Sequence, residues 1–201
     1  GNGEDEITLS IKNDDQSPGS WGSFSDSSVT LQPYTGTNIT MTVTPPSDAP
    51  YKDEGYTLQI FGTSEDGENL TSTKSLKVTV NKKFDLSLTV SGASTKKVDP
   101  DGSVDFTVNI RNKGNAEDTI LLTLYAEDGT WKPEWGSIVS SVDLLANQNK
   151  DVTLSVTVPD DAAKADYKIG IKGTSDEDPA PNPVNRTTEV SVSVNQTYAV
   201  I

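Results

Sequence analysis

The chain has 201 residues, a formal net charge of −14, and neither cysteine nor histidine. The absence of these two residue types excludes disulfides, thiolate metal sites and catalysis of the Ser-His-Asp or Cys-His kind. Acids exceed bases by 12 to 6 before Phe84 and by 18 to 10 from there on, which gives −6 and −8. This evenly acidic charge argues against nucleic acid and anionic membrane surfaces as partners, because both require clustered Lys and Arg. No apolar run is long enough for a membrane-spanning helix, so direct membrane insertion is not expected in this stretch.

An internal repeat, with an offset of 111 to 114 residues, organises the sequence. Its matching pairs are Gly1–Ile7 with Gly114–Ile120, Trp21-Gly22-Ser23 with Trp135-Gly136-Ser137, Tyr56 with Tyr167, and Gly62-Thr63-Ser64 with Gly173-Thr174-Ser175. Because the offset changes only slightly, insertions between the copies are expected in loops. The repeat predicts two domains of one kind in tandem.

Apolar residues alternate with polar ones in short runs throughout both copies, which is the pattern of half-buried strands. In chain order the clearest runs are Ile7/Leu9/Ile11, Val29/Leu31, Ile39/Met41/Val43, Tyr56/Leu58/Ile60, Leu76/Val78/Val80, Phe84/Leu86/Leu88/Val90, Val104/Phe106/Val108/Ile110, Ile120/Leu122/Leu124, Val152/Leu154/Val156/Val158, Tyr167/Ile169/Ile171 and Val190/Val192/Val194. A weaker strand is predicted near Ser137–Leu145. About seven strands in such a repeat are typical of an antiparallel sandwich. The predicted fold class is therefore all-β, with tandem immunoglobulin-like antiparallel β-sandwiches.

The repeat also predicts the domain boundaries. Residues 1–81 form a sandwich that lacks its first two strands, because Gly1 matches Gly114 in the middle of the other copy. Residues 82–196 form a complete sandwich, and residues 197–201 match its opening strand and begin a further repeat. The join Asn81-Lys82-Lys83 contains no Gly- or Pro-rich tether, which favours limited swing and an extended array.

The run from Val104 to Asn115 resembles the F-x-V-x-V-x-N-x-G-N stretch of the NEW3 and CARDB-like immunoglobulin-type modules. The residues that follow in the family's order are Trp135, Leu144, Val152–Pro159 and Tyr167. The resemblance covers residues 84–195, and residues 1–80 in shortened form, with Pro100-Asp101-Gly102-Ser103 in place of the usual Pro-Gly turn. It implies a module found in archaeal and bacterial surface proteins, in S-layer-like proteins, and beside secreted glycosidases and proteases. It implies no catalytic residue.

Three acidic segments are candidates for calcium, because hard cations bind several clustered oxygen ligands. They are Asp99-Pro100-Asp101-Gly102, Asp176-Glu177-Asp178 and Glu65-Asp66. A Pro-Asp-Gly turn explains the first, and solvated loop charge explains the others. No cofactor is therefore expected, and folding is predicted not to need calcium. The run Asn112-Lys113-Gly114-Asn115 is interpreted as a tight turn in which Gly and Asn adopt positive φ.

Candidate site residues fall into two groups. Sequons place candidate N-glycosylation sites at Asn38, Asn69, Asn185 and Asn195. Trp131 has no match in the first copy and is the candidate for an exposed surface contact, whereas Trp21 and Trp135 recur in register and are expected to close the core.

Three functional hypotheses follow, all for an extracellular protein at a cell surface and none enzymatic. The first is a structural spacer in an S-layer-like array, a stalk or a surface filament, whose partners are neighbouring repeats or protomers. The second is an adhesion or carbohydrate-proximal module attached to a secreted enzyme, with glycans as partners. The third is a polymer subunit in which strands pass between protomers, because an open sheet edge accepts a donated strand.

Overall fold

The computed structural model describes residues 1–13, 21–66, 70–127 and 131–196. The chain divides into two compact units, Gly1–Asn81 and Lys82–Ile201. The strands of the first unit are β1 (Asp5–Asn13), β2 (Gly22–Phe24), β3 (Ser28–Leu31), β4 (Met41–Val43), β5 (Tyr56–Ser64) and β6 (Thr71–Val78). Those of the second are β7 (Leu86–Ser91), β8 (Thr95–Val98), β9 (Ser103–Asn112), β10 (Asp118–Ala126), β11 (Gly136–Ser137), β12 (Ser141–Leu144), β13 (Asn149–Thr157), β14 (Asp166–Ser175) and β15 (Asn185–Val194).

Helix is nearly absent from the described residues, where only a 3-10 turn at Pro133–Trp135 interrupts the β-structure. None of the described segments forms a helix long and apolar enough to cross a membrane. The all-β prediction is therefore confirmed.

The second unit is a β-sandwich of two sheets. One sheet has the strand order β12-β10-β14-β15-β8 and the other has the order β11-β13-β9-β7. Every neighbouring pair is antiparallel except β15 and β8, which run parallel. Inward residues of both sheets form one core, as Phe106, Val108 and Ile110 of β9 show by being buried while the adjacent Asp105 and Thr107 are exposed. The period of two thus turns one face of each strand inward.

The first unit has a four-stranded sheet, β3-β1-β5-β6, and a two-stranded pair, β2-β4. Its strand pairing has the register of the second unit at matching residues. Ile7 pairs with Ser64 and Val29, and Ile120 pairs with Ser175 and Val142. The buried core is smaller and centres on Trp21, Ala49 and Tyr56, with Leu58 also buried.

The structure adds β2 to the strands predicted for the first unit and differs from the predicted strands of the second unit in two places. Three strands, rather than two, precede β10 in the second unit, because Thr95-Lys96-Lys97-Val98 forms β8. A strand with a single buried apolar residue, Val98, has no alternating pattern to reveal it. The weak strand expected near Ser137–Leu145 is two strands, β11 and β12, which belong to different sheets.

Two predicted turns have different outcomes. At Asp99–Gly102 the Gly102 N–H donates to the Asp99 carbonyl at 3.0 Å, and Asp101 has a φ of 61°, so this segment is the turn expected. The positive φ expected for Asn112–Asn115 is wrong, because no residue there adopts it. Gly114 is needed instead for close approach, since a Cβ would lie 2.4 Å from the Lys83 carbonyl oxygen.

A strained tyrosine occupies the turn after β3. The Thr35 N–H donates to the Gln32 carbonyl at 3.1 Å, and Tyr34 has a φ of 62° with 88% of its surface exposed. The turn after β12 has the same geometry, with Asn147 at a φ of 62°. Asn tolerates the left-handed region, whereas a bulky residue there is unfavourable.

Tyr34→Asn is expected to stabilise the first unit by about 1 kcal/mol, because it relieves the left-handed strain of an exposed aromatic residue. Thermal denaturation gives the change, and amide hydrogen exchange in β3 assigns it to this unit. Asn147→Tyr is the matched control and should destabilise the second unit by a similar amount. A loss of stability in the Tyr34→Asn protein would contradict the prediction.

Candidate functional site

An aromatic cluster lies beside the β11 end of the second unit. The rings of Trp131 and Trp135 meet edge to face at 5.6 Å between centroids, and those of Trp135 and Tyr167 meet in the same way at 5.0 Å. The Tyr167 hydroxyl donates to the Ala163 carbonyl at 2.8 Å, which fixes the chain just ahead of β14. Edge-to-face contacts add roughly 0.5–1.5 kcal/mol per pair to the burial of the rings.

Trp131 is not a surface contact, and that expectation is wrong. Only 2% of its surface is exposed, and its ring lies within 2.9 Å of where a Cβ on Gly136 would be. Trp135 is half-buried and packs against the core, as predicted. Among the described residues the Trp131 indole N–H has no hydrogen-bond partner, so its burial is driven by apolar packing.

The first unit contains the matching part of this cluster. Trp21, just ahead of β2, packs edge to face on Tyr56 at 4.6 Å, and the Tyr56 hydroxyl donates to the Pro50 carbonyl at 2.7 Å. Tyr56, the first residue of β5, and Tyr167, the second residue of β14, therefore each hold the loop that precedes their strand. The prediction that Trp21 lies in the core is confirmed by its 4% exposure.

A buried carboxylate lies at the start of β10. Asp118 is 1% exposed, and its Oδ2 has no hydrogen-bond partner, while Oδ1 receives only a long bond of 3.4 Å from the Glu177 N–H. The buried Ser175 hydroxyl lies beside it without completing a hydrogen bond. Burial raises the pKa of Asp118 above its ordinary value, and nearby Ser175 offsets part of that rise. The matching pair in the first unit is complete, with the Ser64 hydroxyl donating to Asp5 at 2.9 Å.

The acidic loops bind their own backbone. The Asp178 carboxylate accepts hydrogen bonds from the Ala180 and Val184 N–H groups at 3.1 and 2.9 Å. The Asp66 carboxylate accepts one from the Glu6 N–H at 3.1 Å. Within residues 1–13, 21–66, 70–127 and 131–196, no group of three acidic side chains is arranged to hold a metal ion. These carboxylates therefore have structural partners, Asp178 in its own loop and Asp66 in β1.

The candidate glycosylation sites lie at the surface where the structure describes them. Asn38 and Asn185 are exposed, and Asn185 is the first residue of β15. Asn195 is also exposed, and its side-chain amide donates to Asp99 at 2.8 Å. Asn69 lies outside the described residues.

The second strand and the last strand of the second unit, β8 and β15, are paired in parallel. Residues Thr95–Val98 of β8 face Ser191–Val194 of β15 in register. The pair is extended at both ends by hydrogen bonds from the Ser191 N–H to the Ser94 carbonyl at 2.8 Å and from the Asn195 N–H to the Val98 carbonyl at 2.9 Å. The first strand of this sheet in chain order, β8, is thus hydrogen-bonded to the last strand of the unit, β15.

Trp131→Ala is expected to destabilise the second unit by roughly 3–5 kcal/mol, because it leaves a cavity between Gly136 and Trp135. Trp131→Phe should cost clearly less, since it keeps a ring and removes the unpaired indole N–H. Urea denaturation of both variants measures the difference. An unchanged free energy of unfolding in Trp131→Ala would contradict the burial of Trp131 in the core.

Asp118→Asn is expected to stabilise the second unit at neutral pH and to have little effect near pH 3. The pKa of Asp118 is higher in the folded state than in the unfolded state. The free energy of unfolding is therefore highest at pH values below the unfolded pKa and falls as pH rises through the folded pKa. An asparagine side chain does not ionise, so the variant does not lose stability in this way. Melting temperatures at pH 3 to 7 measure it, with Asp5→Asn at the half-exposed matching position as the control. A gain that is equal at every pH would contradict the assignment.

Comparison with known proteins gives similarity of fold only. No family model and no curated protein matches the chain. Among solved structures, a family 123 glycoside hydrolase from Clostridium perfringens is 11% identical over 56% of this chain and 27% of its own, with a TM-score of 0.42. Cadherin-like domains 1 to 4 of zebrafish RET are 15% identical over 94% and 40%, with a TM-score of 0.40. Domains 4 and 5 of the S-layer protein SbsC are 15% identical over 76% and 67%, with a TM-score of 0.36. Likenesses this distant carry no conclusion about function.

Proposed function

We propose that the chain consists of two non-catalytic immunoglobulin-like repeats that act as a spacer in an extracellular cell-surface protein, such as an S-layer-like array, a stalk or a filament. The observation that carries this proposal is the parallel pairing of β8 with β15. The acidic charge of both units and the absence of Cys are in keeping with an exposed, solvated surface.

The immunoglobulin-like assignment rests on strand order and on a tyrosine. In the second unit β7, β9 and β13 are neighbours in one sheet, and β10, β14 and β15 are neighbours in the other, which is the arrangement of such sandwiches. Tyr167 and Tyr56 each donate from the hydroxyl to a carbonyl a few residues upstream, as in the tyrosine corner of this fold. The matching registers of the two units support their description as tandem copies.

A parallel pair formed by an early strand and the last strand suits a unit that bears tension. The first strand, β7, pairs with β9. Once that pair separates, a pull between the two ends of the unit draws β8 and β15 in opposite directions along their own axes. Their hydrogen bonds then carry the load together, whereas an antiparallel hairpin pulled from its open end loses its bonds one at a time. The side-chain bond from Asn195 to Asp99 lies at the end of the same pair and adds to it.

A binding role has less support. An exposed Trp131 beside Trp135 would favour the adhesion hypothesis, and the burial of Trp131 removes that residue from the surface. The non-catalytic part of the proposal is supported by the acidic side chains, because Asp178 accepts from backbone N–H groups of its own loop and Asp66 accepts from the Glu6 N–H of β1.

The proposal predicts that unfolding of the second unit under tension is limited by the β8–β15 pair. Ser94 and Val98 accept bonds from β15, so alternation along the strand directs the Lys96 N–H toward β15 and the Lys97 N–H away from it. Lys96→Pro should therefore lower the unfolding force markedly, because it removes one of few bonds loaded in parallel. Single-molecule force spectroscopy of the full chain, pulled from its ends, measures this.

Two controls make the result specific. Lys97→Pro places the same residue on the side of the edge strand that faces away from β15 and should lower the force much less. Lys96→Ala removes the contact of this side chain with the Phe106 ring while keeping the backbone bond. Equal unfolding forces for the Lys96→Pro and Lys97→Pro proteins, at matched thermal stability, would contradict the proposal that the β8–β15 pair limits unfolding under tension.

A further inference from the structure

An open apolar face lies on the first unit. It forms a cleft of about 350 Å³, and the residues along it include Ile7, Leu9, Phe24, Met41 and Ile60. None of the lining residues is charged, and the side chains named here are only half-buried. A cleft of this kind on a small unit marks a surface that another element covers.

The second unit shows what covers the matching face. The counterparts of Ile7 and Leu9 are Ile120 and Leu122, which are 0% and 5% exposed. They are buried because β7 and β9 close the sandwich above them. A Cβ on Gly173 would lie 3.2 Å from the Leu88 side chain of β7, whereas one on the matching Gly62 would meet only Ile7 and Leu9 of its own sheet.

The same comparison shows an unpaired strand edge. In the second unit β13 pairs with β9 along nine residues, from Asn149 to Thr157. Its counterpart β4 has three residues and pairs only with β2. Bonds from the Ser25 N–H to the Thr40 carbonyl and from the Thr44 N–H to the Trp21 carbonyl face β2, so the N–H groups of Met41 and Val43 point to the opposite edge. Among the described residues, none covers the face or pairs with the edge that β9 would occupy.

The connection between strands indicates from which end the occupant enters. In the second unit β9 runs through Lys113 into Gly114 and Asn115. There Asn115 accepts from the Lys83 N–H at 2.8 Å and donates its own N–H to the Lys83 carbonyl at 3.1 Å, so this turn holds the start of β7. Gly1-Asn2 is the same dipeptide ahead of β1, and a Cβ on Gly1 would meet nothing within 4 Å.

We propose that the open face of the first unit is a docking surface for a strand pair of the β7–β9 type, joined directly ahead of Gly1. One strand of the pair bonds to the free edge of β4 and the other lies beside it, and their alternate apolar side chains fill the cleft. The proposal rests on the repeat assignment above but is independent of the spacer role, because the force experiment concerns the second unit alone.

The test joins a second copy of residues 82–113 ahead of Gly1 in the full chain, so that the added Lys113 meets Gly1 as the native Lys113 meets Gly114. The control fusion has Leu88→Asp, Phe106→Asp and Val108→Asp in the added copy only. Amide hydrogen exchange at Met41 and Val43 reports on the edge, and fluorescence of anilinonaphthalene sulfonate reports on the cleft. Exchange in β13 shows whether the added copy leaves the second unit intact.

The expected result is that the fusion slows exchange at Met41 and Val43 by at least about 10-fold and lowers dye fluorescence, while the control fusion does neither. The proposal is overturned if the fusion leaves both unchanged, or if the control fusion protects the edge equally. It is also overturned if the chain without any addition is already protected at Met41 and Val43 in proportion to a dimer detected by light scattering. That outcome would assign the face to a second copy.

Discussion

The sandwich depends on one constraint, that each sheet hides the apolar face of the other. A strand with period-two alternation exposes half of its apolar side chains unless a second layer lies above it. In the second unit β7, β9 and β13 supply that layer, and Phe106, Ile120 and Ile171 become almost fully buried as a result. Burial of each such side chain is worth roughly 1.5–3 kcal/mol, so the paired layers dominate the stability of the unit.

The first unit shows the same constraint unmet. Its β1 and β5 have the register of β10 and β14, yet the apolar residues that they present are half-buried. The well-buried part of its core is the end at which Trp21, Tyr56 and Ala49 pack together, with Val43 of β4 and Val78 of β6 packed against them. The aromatic contact is thus local to part of the sandwich, whereas burial of Ile7 and Leu9 requires a second layer.

Most of the fold could be predicted because its strands are marked by alternation. The strands β9, β10, β13, β14 and β15 are long, and each has one apolar face, so the period is readable. The strand β8 was missed because its place is set by backbone bonds to β15 and by the single side chain Val98. The repeat indicated a residue's role only where the two copies have matching residues. Trp21 has a match in Trp135 and was assigned correctly, whereas Trp131 has no match and was not.

The burial of polar residues could not be predicted from the alternation of apolar and polar residues either. Asp118 and Asp5 match in sequence, but only Asp118 is almost fully buried, because burial depends on the neighbouring loop rather than on the residue type. Likewise Asn112 is buried and donates to the Ala116 and Leu144 carbonyls at 2.8 and 3.1 Å, so its role is to bridge chain segments rather than to turn the chain.

The hydrogen bonds of Asn112 and those of the β8–β15 pair both supply directional contacts that the apolar core lacks. A core of alternating apolar residues holds the two sheets together but resists sliding of strands only weakly, because apolar contacts have little directional preference. Directional hydrogen bonds at the ends of the unit supply what the core lacks: Asn115 fastens the entry at Lys83, and Asn195 fastens the exit at Asp99. The two points at which tension would enter and leave the second unit are therefore those at which side-chain hydrogen bonds supplement the backbone, which is the arrangement expected of a repeat whose role is to transmit force without opening.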